Sequence, residues 1–130
     1  MANAPGGSGP RLHLATVCID CADADAMADF YGRLLGWEVT LREPGWVLMR
    51  DPSGGTGLSF QAETSYRAPT WPEQSGGQDK MIHLDIKVED LDAAVAHALA
   101  SGARLAEHQP QTCVRALLDP ADHPFCLFLD

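Results

Sequence analysis

Two distant stretches of this chain follow one plan, and that repeat limits the fold more than any other feature. The later copy is Met81-Ile-His-Leu-Asp-Ile-Lys-Val-Glu-Asp-Leu-Asp-Ala-Ala-Val95. Its alternation sets Leu84, Ile86 and Val88 on one face and His83, Asp85 and Lys87 on the other, which is the period of a strand. Asp90 then opens a helix with Leu91, Val95, Ala98 and Leu99 as its apolar face, and Gly102 closes it. The earlier copy is Leu12-His-Leu-Ala-Thr-Val-Cys-Ile-Asp20, read as a strand over 12–19 with Leu14 and Cys18 on one side and His13, Ala15 and Val17 on the other. A helix comes next over 24–35, with Asp23 as N-cap, Gly36 as stop, and Met27, Phe30, Tyr31, Leu34 and Leu35 as its apolar stripe.

The strands after each helix repeat as well. After the first come strands at 37–42, 46–50 and 57–62, with turns at Glu43-Pro-Gly45 and Asp51-Pro-Ser-Gly-Gly55. After the second come strands at 104–107, 113–118 and 125–129, and Asp119-Pro120 opens a turn as Asp51-Pro52 does. The order is βαβββ twice, an internal duplication of α+β class. It divides the chain into a disordered tail over 1–11 and a single domain over 12–130, with modules 12–62 and 81–130. Residues 63–80 between them show no periodicity and read as a linker or a lid. The lid reading rests on Tyr66 and Trp71, large aromatics in an otherwise polar loop.

Composition excludes some roles. Nine Lys and Arg stand against eighteen Asp and Glu, a formal charge of −9, which disfavours nucleic acid and anionic membrane surfaces. No apolar run has the length of a membrane span, and the first ten residues lack the basic and apolar regions of a signal peptide. Cys18, Cys21, Cys113 and Cys126 therefore read as reduced thiols of a cytoplasmic protein.

Phe30-Tyr-Gly-Arg-Leu-Leu-Gly-Trp37, His83-Leu-Asp-Ile-Lys-Val-Glu-Asp-Leu-Asp-Ala-Ala94, Asp119-Pro-Ala-Asp-His-Pro-Phe-Cys-Leu127 and the loop Tyr66-Arg-Ala-Pro-Thr-Trp-Pro72 carry a family resemblance. Set on a duplicated βαβββ plan, they resemble the vicinal oxygen chelate superfamily of glyoxalases, bleomycin-resistance proteins and extradiol dioxygenases, in a glyoxalase-like branch. The resemblance implies a cup-shaped mixed sheet with helices outside, commonly in a homodimer. It also implies, in metal-using members, ligands on the first and fourth strands of each module. His13 and His83 match the first-strand positions. At the fourth-strand positions, where metal enzymes often carry Glu, stand Ser59 and Cys126, with Gln61 and Phe128 one pleat further on. A slip of one residue sends Leu58 or Phe60 into the cup instead. Either register supplies no carboxylate.

A Mg²⁺, Ni²⁺ or Fe²⁺ site favours imidazole mixed with carboxylate, so no metal cofactor is expected, and the two His read as neutral pocket residues. The other option is a zinc site from His13, His83 and Cys126. Cys18-Ile-Asp-Cys21 has redox spacing, but its parity makes Cys18 a filler under the helix layer. Trp71 is either a ring that stacks over a flat ligand or a pin for its loop. Arg115 points inward as an anion clamp or outward into water. His123 reads as a loop-packing residue, and His97 and His108 as surface residues. The expected ligand-binding set is therefore His13, Ser59, Gln61, Trp71, His83, Arg115, Cys126 and Phe128. The expected function is binding of a small aromatic or conjugated molecule, as in antibiotic sequestration or resistance. The alternative is a glyoxalase-like lyase or isomerase, metal-dependent or with His83 as base and Asp85 orienting it.

Overall fold

A computed structural model describes residues 9–109 and 111–129. Residues 1–8 of the expected tail lie outside the described residues. The chain forms β1 (Thr16–Cys21), α1 (Ala24–Leu35), β2 (Val39–Glu43), β3 (Trp46–Met49) and β4 (Gly57–Ala62). The plan then repeats as β5 (Leu84–Lys87), α2 (Leu91–Ser101), β6 (Arg104–Leu105), β7 (Val114–Leu118) and β8 (Pro124–Phe128). The strands make two four-stranded mixed sheets, ordered β1-β4-β3-β2 and β5-β8-β7-β6. In each, the first strand runs parallel to the fourth and the other pairs are antiparallel.

The helix boundaries follow from their caps. Asp23 accepts the Ala26 amide at 3.1 Å and Asp90 the Ala93 amide at 3.0 Å, satisfying donors that the first turn leaves free. Gly36, at φ 73°, ends α1 in the left-handed region that disfavours a side chain. Along α1, Met27, Phe30 and Tyr31 are buried and Leu34 and Leu35 half-buried against the core. Tyr31 stacks on Phe60 of β4 at 5.5 Å, and Phe30 lies 5.9 Å from Phe125 of β8, so one helix packs on both sheets. On α2 the packed positions are Leu91, Ala94, Val95 and Ala98, whereas Leu99 is 43% exposed, just past the edge of the stripe it was assigned to.

The modules are joined through these helices and through two buried polar groups, Asp119 and His123. Arg33 of α1 donates from Nε and Nη2 to the Ser101 carbonyl at the end of α2, at 3.0 and 2.8 Å. His97 is exposed but not idle, since its Nε2 lies 3.0 Å from the Leu34 carbonyl. Tyr31 donates to Asp119 Oδ2 at 2.7 Å, and Asp119 Oδ1 accepts the amides of Ala121 and His123. Burial pushes the Asp119 carboxyl above the usual carboxylate range, and the Tyr31 hydroxyl pulls against that shift. Its counterpart Asp51 caps its own turn by accepting the Ser53 amide and hydroxyl, which hold it below that range. His123 is buried and packs the loop as expected, with Nε2 2.7 Å from the Asp20 carbonyl and 3.2 Å from the Tyr66 hydroxyl.

The first strand differs from its sequence reading in start and in parity. It begins at Thr16, and Leu12 and Leu14 before it are 90% and 68% exposed. Val17, Ile19 and Cys21 face the core, while Cys18 stands opposite Ser59 on the other face and is exposed. Cys18 is thus no filler beneath the helices. The core takes the run Val17, Ile19, Cys21 because it meets Leu58, Phe60 and Ala62 in register on β4. In the second module the reading of faces holds: Leu84, Ile86 and Val88 pack on the core, and His83, Asp85 and Lys87 are exposed opposite.

Candidate functional site

The parallel pair β5–β8 builds the site. Register sets Asp85 beside Cys126, Ala116 on β7 beside Cys126 from the other side, and Val114 beside Phe128. Because side chains alternate, the face that carries Cys126 and Phe128 is opposite the one that sends Phe125 and Leu127 into the core. This face carries a second small apolar cluster of Ala106, Ala116 and Cys126, against which Val114 and Trp71 pack. A cavity of about 310 Å³ opens there, lined by His83, Asp85, Gln111, Val114, Cys126, Phe128 and Leu129.

Its polar edge is concentrated at one atom. His83 Nε2 is 3.0 Å from Cys126 Sγ and 3.7 Å from Asp85 Oδ1. Ligand atoms of His83, Asp85 and Cys126 all lie within 4.8 Å of one another. Burial raises the Cys126 thiol above its ordinary pKa, and the Asp85 charge adds to the rise, so the thiol is protonated at neutral pH.

The structure divides the expected set. His83, Asp85, Cys126 and Phe128 come together, with Trp71 packed against the same cluster. Trp71 also lines a neighbouring recess of about 580 Å³ with Gln74, Arg104, Glu107 and His108, and its ring centroid lies 5.6 Å from that of His108. The other residues sit apart. His13 is exposed ahead of β1. Ser59 is buried on the first sheet with its Oγ 3.3 Å from Thr16 Oγ, and Gln61 donates to Glu63 at 2.7 Å. Arg115 pairs in register with the core residue Leu127, on the opposite face from Cys126, and its Nη1 turns back to the carbonyls of Thr112 and Val114. Gln111, Val114 and Leu129 line the cavity without having been singled out in the sequence. The alternation Val114, Ala116, Leu118 was the signal available for the β7 wall.

A metal centre drawing one ligand from the first and fourth strands of both modules does not fit these residues. His13 stands away from the cavity, Ser59 offers no carboxylate, and no residue of the first sheet lines the His83 cavity.

Two tandem βαβββ modules, each closed by a parallel pairing of its first and last strands, define a protein of the vicinal oxygen chelate type. Residues 16–128 match the family model described as a glyoxalase-like domain, and the chain belongs to that family. Among curated proteins nothing matches. Solved structures share the fold. A glyoxalase/bleomycin resistance protein/dioxygenase family enzyme from Burkholderia phytofirmans PsJN is 24% identical, with TM-score 0.67 over 91% of this chain and 98% of that one. TnmS3, an antibiotic binding protein from Streptomyces sp. CB03234, is 17% identical, with TM-score 0.61 over 92% of this chain and 96% of its own. A lactoylglutathione lyase from Agrobacterium tumefaciens is 18% identical, with TM-score 0.60 over 92% and 95%. At these identities the likeness carries the architecture and leaves the chemistry to the site. No helix among the described residues is long and apolar enough to cross a membrane.

Proposed function

We propose that this chain binds a small aromatic or conjugated molecule in the cavity beside His83, Asp85 and Cys126, in the manner of an antibiotic-sequestering protein. The observation that carries the reading is the make-up of that cavity: apolar walls from Val114, Phe128 and Leu129, and a polar edge from His83, Asp85, Gln111 and Cys126. Apolar area with a few placed polar groups is what a small-molecule site needs. Trp71 supports the cavity by packing on Ala106, Ala116 and Cys126, which fits a pin for the 63–80 loop. The antibiotic binding protein among the similar structures supports the same reading. The four thiols, all unpaired, agree with a reducing cytoplasm, and exposed Leu12, Leu14 and Leu41 suit a homodimer.

The rival reading is a lyase or isomerase with His83 as base, which the 3.7 Å approach of Asp85 supports. Against it, the nitrogen that would take the proton already lies 3.0 Å from Cys126 Sγ, within hydrogen-bond reach. The test is a thermal-shift screen of small aromatic compounds followed by calorimetric titration. His83→Ala leaves a polar group of the ligand unpaired and weakens binding by about 1–3 kcal/mol. Asp29→Asn, exposed on α1, leaves affinity unchanged. Full affinity in His83→Ala refutes the site, and turnover of the hit compound by wild type, lost in His83→Ala, selects the enzyme.

A further inference from the structure

We propose that Cys126, with His83 as its proton acceptor, adds covalently to an α,β-unsaturated carbonyl compound held in the cavity of the second module. The inference rests on the proposed small-molecule site and names the chemical class of its ligand. The observation behind it is the 3.0 Å approach of His83 Nε2 to Cys126 Sγ where both line the cavity. A nucleophile within hydrogen-bond reach of a base, with a third group beside that base, is the arrangement that activates a thiol. In the neutral tautomer protonated at Nδ1, the His83 Nε2 lone pair accepts the thiol proton. Asp85 Oδ1, 3.7 Å from the same nitrogen, stabilises the imidazolium that the transfer creates. Among the described residues Cys21 donates instead to the Gln61 carbonyl, and Cys18 and Cys113 are exposed.

The backbone supports that geometry. Asp85 and Cys126 are register partners on adjacent parallel strands, and His83 precedes β5 by one residue, on the face of Asp85. Burial and the Asp85 charge keep the resting thiol protonated, so reaction waits on proton transfer to His83. A thiol of raised pKa yields the stronger nucleophile once ionised. The step balances without an oxidant or a leaving group. The proton passes from sulfur to Nε2, and a sulfur electron pair forms a bond to the β-carbon of the ligand. The carbon–carbon π pair shifts toward the carbonyl oxygen as an enolate, and the imidazolium returns the proton to the α-carbon. Gln111, also lining the cavity, brings an amide N–H that can donate to the enolate oxygen, while Val114 and Phe128 wall the hydrocarbon part. A single Asp85 charge in the cavity favours a neutral ligand over an anionic one.

The experiment treats the full chain with N-phenylmaleimide, and mass spectrometry of its proteolytic peptides gives a rate for each cysteine. Cys126 is expected to gain the whole mass of the probe, as an addition requires, and to outpace the exposed Cys18 and Cys113 by at least about tenfold. Its rate should rise with pH as His83 loses its proton and then level off below the thiol's own titration; His83 and Asp85 are the other titratable groups lining the cavity. His83→Ala is expected to slow Cys126 by at least about tenfold, to remove the plateau, and to leave Cys18 and Cys113 unchanged. Asp85→Asn slows Cys126 too, whereas a bare thiolate would speed up on losing the charge that holds it protonated. Circular dichroism of each variant separates loss of the pair from loss of the fold. The proposal is overturned if Cys126 reacts no faster than Cys18 and Cys113, if its rate survives His83→Ala, or if Asp85→Asn reacts faster. Calorimetry with N-phenylsuccinimide, the saturated analogue that cannot react, keeps the two claims apart. Binding of that analogue, weakened in His83→Ala, with no adduct at Cys126 sinks this inference and leaves the proposed function standing.

Discussion

Removing the hydroxyl of Tyr31 tests how the second module is fastened to the first. Tyr31→Phe keeps the ring stacked on Phe60 and deletes one hydrogen bond, leaving Asp119 Oδ2 without its 2.7 Å partner in a site 1% exposed. A hydrogen bond to an ionised group is worth about 1.5–3 kcal/mol, and the stranded oxygen places the loss in that range. With an unfolding entropy near 2.1 cal/mol/K per residue, this chain of 130 residues melts about 5–11 °C lower. The loss depends on pH with a definite sign. Asp119 titrates above the ordinary carboxylate range, so below its folded pKa it is neutral and the lost bond is the weaker, uncharged kind. The penalty of Tyr31→Phe therefore grows as pH rises through that titration. Calorimetry of wild type, Tyr31→Phe, Asp119→Asn and the double variant closes a cycle, with a coupling energy of at least about 1 kcal/mol expected. A Tyr31→Phe protein within about 0.5 kcal/mol of wild type at neutral pH, or a coupling near zero, refutes the reasoning.

Three other outcomes are expected from the structure. A Cβ at Gly57 would meet the Met49 carbonyl at 2.3 Å, backbone that cannot step aside cheaply, so Gly57→Ala is expected to cost about 1–3 kcal/mol in urea unfolding. Burial raises the Cys21 thiol to about 11, above its unfolded value, so its contribution to stability is complete below the unfolded pKa and disappears as pH rises to the folded one. Stability should thus decline through mildly alkaline pH, and less in Cys21→Ala; equal slopes in the two proteins would contradict the assignment. Light scattering at micromolar concentration is expected to give the mass of a dimer, and a monomer would remove assembly from the proposed function.

The duplication was legible because its punctuation is local. Asp23 and Asp90 cap, Gly36 and Gly102 stop, and each acts within one helical turn of its place in the chain. The faces of β5 were legible because His83, Asp85 and Lys87 alternate cleanly with Leu84, Ile86 and Val88. The face of β1 was not. Leu12 and Leu14 look like core residues in isolation, and only the pairing of Ile19 with Phe60 settles which parity is buried. That inversion misplaced Cys18. The His83–Asp85–Cys126 grouping was half legible: all three were assigned to one face, but the closeness of Asp85 to the imidazole depends on rotamers that alternation does not encode. Asp119 read as a turn residue, which it is. Its bond to Tyr31 spans 88 positions and leaves no local trace.

The central claim, that ligand binds on the face of the second sheet turned away from the helices, is tested most directly by backbone amide chemical-shift mapping by NMR. The protein is titrated with the tightest aromatic hit from the thermal-shift screen. Shifts are predicted to concentrate at 83–87, 111–116 and 126–129, around the His83 cavity, with 57–62 on the first sheet undisturbed. Shifts centred instead on β1 and β4, around Cys18, Ser59 and Gln61, would contradict the account and move the site to the other module.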